Sequence, residues 1–122
     1  MAITQLTSYT AKSVGLTTST VFTAAAGVQT VLNGLTVANT TNVATSASVL
    51  ITRGGQDVYI VKEATVYPGG SMIVAGWDQK IAMIAGDQLK AVSSVATSID
   101  VFASAVLSGG AAAGSQPVNI AP

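Results

Sequence analysis

The side chains that could carry out acid–base or metal chemistry in this sequence are five carboxylates, at positions Asp57, Glu63, Asp78, Asp87 and Asp100. A glycosidase or an aspartic protease needs two carboxylates across a cleft, in environments that separate their pKa values. No local motif for either site is present, and a calcium loop of alternating Asp and Asn around a glycine is absent. Each acid falls at a predicted turn or strand end, so we interpret it as a cap of backbone amides. A cation site built from carbonyl oxygens at a subunit contact stays open.

The residues that most often serve in nucleophilic catalysis are missing, because the chain contains no histidine and no cysteine. Without them a general base at neutral pH, a thiolate nucleophile and thiolate metal ligands are all missing. Serines are plentiful, but no Gly-x-Ser-x-Gly or Ser-x-x-Lys motif occurs. Gly69-Gly70-Ser71 lacks the lysine and the following helix of a phosphate-binding loop. The sequence therefore predicts a protein that is not an enzyme and has no cofactor and no transition metal.

The composition favours packing and contact surfaces. The 122 residues suit one domain, and 49% of them are hydrophobic, although mostly small. Small side chains bury little area each, so a domain of this size would be marginal alone and would gain from oligomerisation. Five basic and five acidic residues give a net charge of zero, and the basic residues are scattered. Binding to nucleic acid is therefore not expected.

The sequence predicts neither a targeting segment nor a membrane segment. Its first residues lack the basic and apolar regions of a signal peptide. The most apolar stretch, residues 101–114, contains serine and glycine and is shorter than the roughly 20 residues that a membrane span needs. We expect a protein made in the cytoplasm that has no membrane partner.

The local pattern predicts an all-β protein, because Thr and Val dominate and turn residues recur at intervals of about ten residues. It indicates a single β-sandwich or jelly-roll-like domain of about eight strands, over residues 17–108. The predicted strands are 19–23, 28–39, 48–53, 56–63, 71–75, 80–84, 88–93 and 98–107, and in the last of them Phe102 faces away from Ile99, Val101 and Ala103.

Three turn or bulge positions are specific enough to test. Gly54-Gly55 supplies the two positive-φ positions of a tight hairpin, in a register that pairs Ile51 with Val58 and Val49 with Ile60. Tyr67-Pro68-Gly69-Gly70 has the pattern of a type II turn. Gly34 marks a bulge within its strand.

Two flexible arms are predicted outside the sandwich, an N-terminal arm of residues 1–16 and a C-terminal arm of residues 109–122. Both lack alternation, and the second is rich in Gly and Ala. Sparse apolar residues in the arms are candidates for contact with a partner chain: Ile3, Leu6, Val14, Val118 and Ile120. We expect at least one arm to cross onto a neighbouring subunit, since an extended segment can add to an open sheet edge.

The single tryptophan, Trp77, lies in a predicted turn, Gly76-Trp77-Asp78-Gln79. It has three interpretations: a lid over the end of the sandwich, a contact to a partner chain, or a platform for stacking a sugar. The first two are commoner in small β domains.

Several segments between Thr20 and Leu107 resemble a domain family found in virion structural proteins of tailed bacteriophages, particularly those that infect cyanobacteria. The similar segments are Thr20-Val21-Phe22-Thr23, Leu35-Thr36-Val37-Ala38-Asn39-Thr40, Tyr59-Ile60-Val61-Lys62, Val66-Tyr67-Pro68-Gly69-Gly70-Ser71, Gly76-Trp77-Asp78-Gln79-Lys80, Ala85-Gly86-Asp87 and Ile99-Asp100-Val101. The resemblance implies a β-sandwich without known catalysis. This chain departs from the family pattern at Ala25, where family members commonly have a proline.

The resemblance and the composition together predict a virion structural protein. The preferred form is a capsid decoration (cement) protein, a homotrimer that packs on the head shell against the major capsid protein. One alternative is a neck, baseplate or tail-fibre module. A second is a carbohydrate-binding module, which would need an aromatic platform.

Overall fold

The computed structural model describes residues 3–76 and 79–109, and within them the chain forms strands and no helix. Thr, Val, Ile and Ala dominate the strands, as β-branched and small residues suit a pleated surface. The prediction of an all-β protein is confirmed. The nine strands are β1 (Ile3–Val14), β2 (Ser19–Thr23), β3 (Val28–Asn39), β4 (Thr45–Arg53), β5 (Gln56–Val66), β6 (Ser71–Ala75), β7 (Ile81–Met83), β8 (Gln88–Ser93) and β9 (Ile99–Gly109).

The strands pair as one long antiparallel hairpin that is folded over on itself. β4 pairs with β5 at the closed end, β3 pairs with β6 and β7, β2 pairs with β8, and β1 pairs with β9. Rolling this hairpin brings β9 beside β3 and β8 beside β4. The result is sheet A, in the order β1-β9-β3-β6 with β7 also on β3, and sheet B, in the order β2-β8-β4-β5. This wrapped, two-sheet order is that of a jelly roll, so the predicted fold class is confirmed.

The core lies between the two sheets and follows the period of two along each strand. In β9 the buried residues are Ile99, Val101, Ala103 and Ala105, while Phe102 points outward as predicted. Sheet B supplies Val49, Ile51, Leu89 and Ala91 from the opposite side. Each sheet therefore has an inner face in the core and an outer face that is free for contacts.

The prediction of an N-terminal arm over residues 1–16 is wrong for the described part, because residues 3–14 form β1. The Tyr9 ring on β1 stacks on the Phe22 ring on β2, with ring centres 4.0 Å apart and planes within 4°. Val14 is only 2% exposed and belongs to the core. The strand therefore links the two sheets through its inward side chains. At the other end, β9 runs to Gly109, and the rest of the predicted C-terminal arm lies outside the described residues.

The segment after β1 is fastened to the loop between β8 and β9 through backbone contacts. The N–H of Ser93 donates to the carbonyl of Gly15 (2.8 Å), and the N–H of Ser98 donates to the carbonyl of Val14 (3.0 Å). A Cβ added at Gly15 would lie 2.7 Å from the backbone nitrogen of Thr97. Only glycine lets the two backbone segments approach this closely.

The Gly54-Gly55 hairpin is confirmed, with φ values of 60° and 79° at its two glycines. Ile51 faces Val58 as predicted, but Val49 faces Val61 rather than Ile60. The predicted Val49–Ile60 pair is wrong because Ile60 is an extra residue in β5. Such a bulge shifts the register of every later pair.

Replacing Gly55 with valine is expected to destabilise the domain by about 1–3 kcal/mol, because a β-branched residue resists positive φ. Chemical denaturation of the purified protein measures this loss. Gly55→Asn is the matched control, since asparagine tolerates the left-handed region and should cost far less. Equal stability of the valine variant and the native chain would contradict the expectation.

The two other predicted backbone features are also present. The N–H of Gly70 donates to the carbonyl of Tyr67 (2.9 Å), and Gly69 has φ of 70°, as a type II turn requires. Beside Gly34, the register between β3 and β9 shifts by one residue, with Asn33 as the extra residue. Because of this bulge, Leu32 before it and Leu35 after it both point into the core.

Candidate interaction surface

The outer face of sheet A brings apolar residues of all its strands into rows. The first row runs from Leu6 on β1 to Val106 on β9, Val31 on β3 and Ala82 on β7. These four residues face away from the core because their strand neighbours face into it. Leu6 is 69% exposed.

A second row crosses the same face near its other end. It runs from Thr10 on β1 to Phe102 on β9, Thr36 on β3 and Ile73 on β6. Phe102 is 54% exposed and Ile73 is 75% exposed. Between the two rows lie the small residues Ser8, Ser104 and Gly34, beside the extra residue Asn33. The face therefore has one apolar row and a second row in which Phe102 and Ile73 alternate with threonines, and a shallow trough separates the two rows.

Charge is confined to one corner of this face. There the Nζ atom of Lys12 lies 3.9 Å from the Oδ2 atom of Asp100. The backbone N–H of Ser13 donates a hydrogen bond to Asp100 Oδ1 (2.8 Å). A groove of about 290 Å³ lies between this corner and the second row, lined by Thr10, Ala11, Lys12, Thr36, Ala38, Asp100, Val101 and Phe102. We call the surface formed by the two rows and the trough between them "the sheet A face".

The outer face of sheet B is polar by contrast. A groove of about 230 Å³ on it is lined by Ser46, Ser48, Ser94 and Glu63 together with Val92 and Ser93. The hydroxyl of Thr52 donates to Asp57 (2.7 Å), and Lys62 Nζ lies 5.0 Å from the centre of the Tyr59 ring. The two outer faces of the sandwich thus differ in charge, because both carry hydroxyl side chains but charged residues are spread more widely over sheet B.

An ion pair between the half-exposed Arg53 and the buried Asp87 joins the hairpin tip of β4 and β5 to the turn between β7 and β8. Arg53 Nη2 lies 2.6 Å from Asp87 Oδ2, and Arg53 Nε lies 2.9 Å from Asp87 Oδ1. The backbone N–H of Ile84 donates to Asp87 Oδ2 at 3.0 Å. The Arg53 hydrogen bonds, supported by the Ile84 N–H and the guanidinium charge, hold the pKa of Asp87 below its usual value against the opposing effect of burial. Asp87 is a structural residue, as predicted for a carboxylate at a turn.

Asp87→Asn is expected to destabilise the protein by about 2 kcal/mol at neutral pH, because it removes charged hydrogen bonds. The folded pKa lies below the unfolded value of about 3.9, so the contribution of Asp87 is present above that value and is lost as the pH falls through the folded pKa. Urea denaturation at neutral and strongly acidic pH should show the two proteins converging as the pH falls. A difference that stays constant, or grows, contradicts the assignment.

The buried hydroxyls of Thr45, Ser93 and Ser98 form the densest serine and threonine cluster in the described part of the chain. Thr45 Oγ1 and Ser93 Oγ are 2.5 Å apart, the hydroxyls of Ser93 and Ser98 are hydrogen-bonded to each other, and Ser98 Oγ donates to the carbonyl of Val95 (2.7 Å). The hydroxyls satisfy one another and the backbone. The cluster closes one end of the sandwich.

The residues predicted to contact a partner chain lie in different environments in the structure. Ile3 lies at the start of β1, Leu6 lies on the sheet A face, and Val14 is buried in the core. Val14 cannot contact a partner, so that prediction is wrong; the residue alternates inward at the end of β1. Trp77, Val118 and Ile120 lie outside the described residues.

Sequence reasoning missed Ile73, Val31 and Val106 as surface residues. Their exposure depends on which strands lie side by side in sheet A, and that order is set by long-range pairing. The outward direction of Phe102 was readable from alternation, but its neighbours were not.

The aromatic residues of the described chain do not form a single platform for a sugar. Tyr9 and Phe22 stack between the sheets, Tyr59 lies near Lys62, and Tyr67 sits in the turn before β6. Within the described residues there is also no group of three or more His, Cys, Asp or Glu side chains that could hold a metal ion. No helix there is long and apolar enough to cross a membrane.

Comparison with known proteins gives distant structural similarity. No protein-family model and no curated protein matches the chain. A solved structure of infectious bursal disease virus, Gx strain, aligns with 93% of this chain at 12% identity and a TM-score of 0.49. A structure of the Gt strain aligns with 92% at 13% identity and a TM-score of 0.43. This chain spans about a third of each matched viral chain, 33% and 34% respectively.

Proposed function

We propose that this protein is a non-enzymatic virion structural protein, a capsid decoration protein that packs on the head shell and stabilises it. The proposal rests first on the contrast between the two outer faces of the jelly roll. One face exposes the large apolar side chains of Leu6, Phe102 and Ile73 and is nearly free of charge, and the other carries several charged side chains. A protein fixed on a shell needs one side that is covered by protein and one that meets water.

The size of the sheet A face fits a contact surface. Strands about 4.8 Å apart and about nine residues long give an area of roughly 500 Å². Contiguous apolar patches above a few hundred Å² on soluble proteins mark interaction sites. Specific interfaces bury about 800 Å² per partner, so this face could form most of one side of such a contact. The resemblance of the sequence to phage virion proteins agrees with this use.

Rebinding to particles tests the role. Particles that lack the protein are mixed with the purified chain, and occupancy and the heat resistance of the shell are measured. Phe102→Glu, which places a charge in the second row, should lower occupancy by at least about tenfold, since a desolvated unpaired charge is costly. Val58→Glu on β5 of sheet B is the matched control, because Val58 is 59% exposed and Phe102 is 54% exposed.

Each outcome decides the proposal. Weak binding of the Phe102 variant with normal binding of the Val58 variant supports it. Equal binding of both variants, or particles whose heat resistance does not depend on the protein, overturns it. Copy number per particle then separates a shell protein, present many times, from a neck, baseplate or fibre module, present few times.

A further inference from the structure

The two sheets of the sandwich have four outer edges, and three of them are interrupted. β2 has five residues and a register shift against β8. β6 and β7 are short, with five and three residues. β5 is longer but carries two register shifts against β4, and Glu63 in it has φ of 53°. Short strands, bulges and charges of this kind prevent an edge from pairing with another chain.

The edge formed by β1 has none of these interruptions over most of its length. From Ile3 to Ala11 it pairs residue for residue with β9 without a shift. This span, Ile-Thr-Gln-Leu-Thr-Ser-Tyr-Thr-Ala, contains no charged residue and no proline. The register shifts only after Ala11, where Lys12 is followed by Ser13 with φ of 59°. A regular, uncharged edge of this length is a template for another strand.

We propose that this edge pairs with the same edge of a second copy of the chain, antiparallel and about a two-fold axis at Thr7. Thr7 is the middle of the regular span, so only this register lets both spans pair over their full length. Thr7 then faces Thr7 of the other copy, a favourable cross-strand pair. Leu6 faces Ser8, and Gln5 faces Tyr9. Sheet A continues from one copy into the next.

A second copy fits this edge better than a charged partner does. The span offers no charge that would select a partner of opposite sign, and the Lys12–Asp100 pair lies just outside it. A two-fold axis makes an uncharged strand complementary to itself. Pairing also sets two sheet A faces side by side, which doubles the apolar surface. The inference does not depend on the proposed function, and it differs from the homotrimer predicted from the sequence.

Engineered cysteines test the register, because the native chain contains none. In the proposed pair, the two copies of residue 7 have Cα atoms about 4.5–5.5 Å apart, within the range for a disulfide. The two copies of residue 5 are separated by about 13 Å along the strands. Thr7→Cys should give a covalent dimer on mild oxidation, while Gln5→Cys should stay monomeric. Equal cross-linking of both variants, or of neither, overturns the register.

Sedimentation equilibrium of the native chain tests the association itself, over a concentration series extending to millimolar protein. A monomer–dimer equilibrium is expected. The double variant Leu6→Lys, Ser8→Lys places four lysines across the joint and should leave only monomer. The control, Gln56→Lys with Val58→Lys, adds the same charge on β5 and should still dimerise; thermal unfolding checks that both variants are folded. A native chain that is monomeric throughout, or trimeric, overturns the proposal, whatever the result with particles.

Discussion

A chain that begins at Gly15 is expected to lose cooperative folding altogether. Removing residues 1–14 deletes β1, exposes the paired edge of β9 and takes away the buried Val14 and the half-buried Tyr9 and Ala11 from the core side. Truncating one large buried side chain typically costs about 2–5 kcal/mol, this deletion removes several core contacts together with the whole β1–β9 ladder, and a domain of this size is stable by only about 5–15 kcal/mol. Circular dichroism with thermal melting should show no native transition. This result would contrast with the arm predicted from the sequence for residues 1–16, because an arm outside the sandwich could be removed without unfolding it.

Single substitutions in β1 separate the loss of packing from a general effect of shortening the chain. Tyr9→Ala removes one half of the stack with Phe22 and should destabilise by about 1–3 kcal/mol, because the Tyr9 side chain is half-buried. Thr10→Ala changes the next, outward-facing residue and should be nearly neutral. A truncated chain that melts like the native protein would show that β1 is dispensable. A Tyr9→Ala variant with unchanged stability would show that the stack with Phe22 contributes nothing to folding.

Gly15→Ala is expected to be the most damaging replacement of a single hydrogen by a methyl group in the described chain. The added carbon would meet the Thr97 nitrogen at 2.7 Å and the Ala96 backbone at 3.2 Å. Both obstacles are backbone atoms held by the hydrogen bonds of Ser93 and Ser98 to this turn. The strain can be relieved only by moving the β1–β2 turn away from the β8–β9 loop. A loss of about 3 kcal/mol is expected, measured by urea denaturation.

Gly34→Ala is the matched control for this substitution. Its added carbon would lie 3.5 Å from Ser104 Cβ, an ordinary contact, and Gly34 has no positive φ. The change should therefore shift stability by less than about 1 kcal/mol. Similar losses at both glycines would mean that the close approach at Gly15 is not what fixes its residue type.

Most of the sandwich could be predicted because its strands carry their signal locally. β4 and β5 alternate on either side of two glycines, and Pro68 with Gly69 fixes the next turn. In β1 the residues that face the core are not the most apolar residues of the strand. Thr7, Tyr9 and Ala11 face inward while the strongly apolar Leu6 faces water, so the segment looked polar and unpatterned. Its place in the fold comes from pairing with β9, which no local window contains.

The candidate surface was predicted less well for the same reason. Alternation placed Phe102 outward, and Leu6 was singled out as a contact residue. Their neighbours Ile73 and Val31 come from strands far apart in sequence and meet only through sheet order. The extra residue at Ile60 was equally hidden, because a bulge is decided by how both flanking segments pack.

The nested pairing of the strands has a consequence for how the chain is made. β1 is synthesised before the other eight strands described here, yet the partner of its first residue, Ile3, is Gly109. Distant pairings of this kind slow folding, because the loop between them must close first. The β4–β5 hairpin can form from neighbouring residues, whereas β1 has to wait until β9 has been synthesised. During that interval the regular, uncharged span of β1 has no partner on either edge, which makes this strand the part of the nascent sandwich most prone to aggregation.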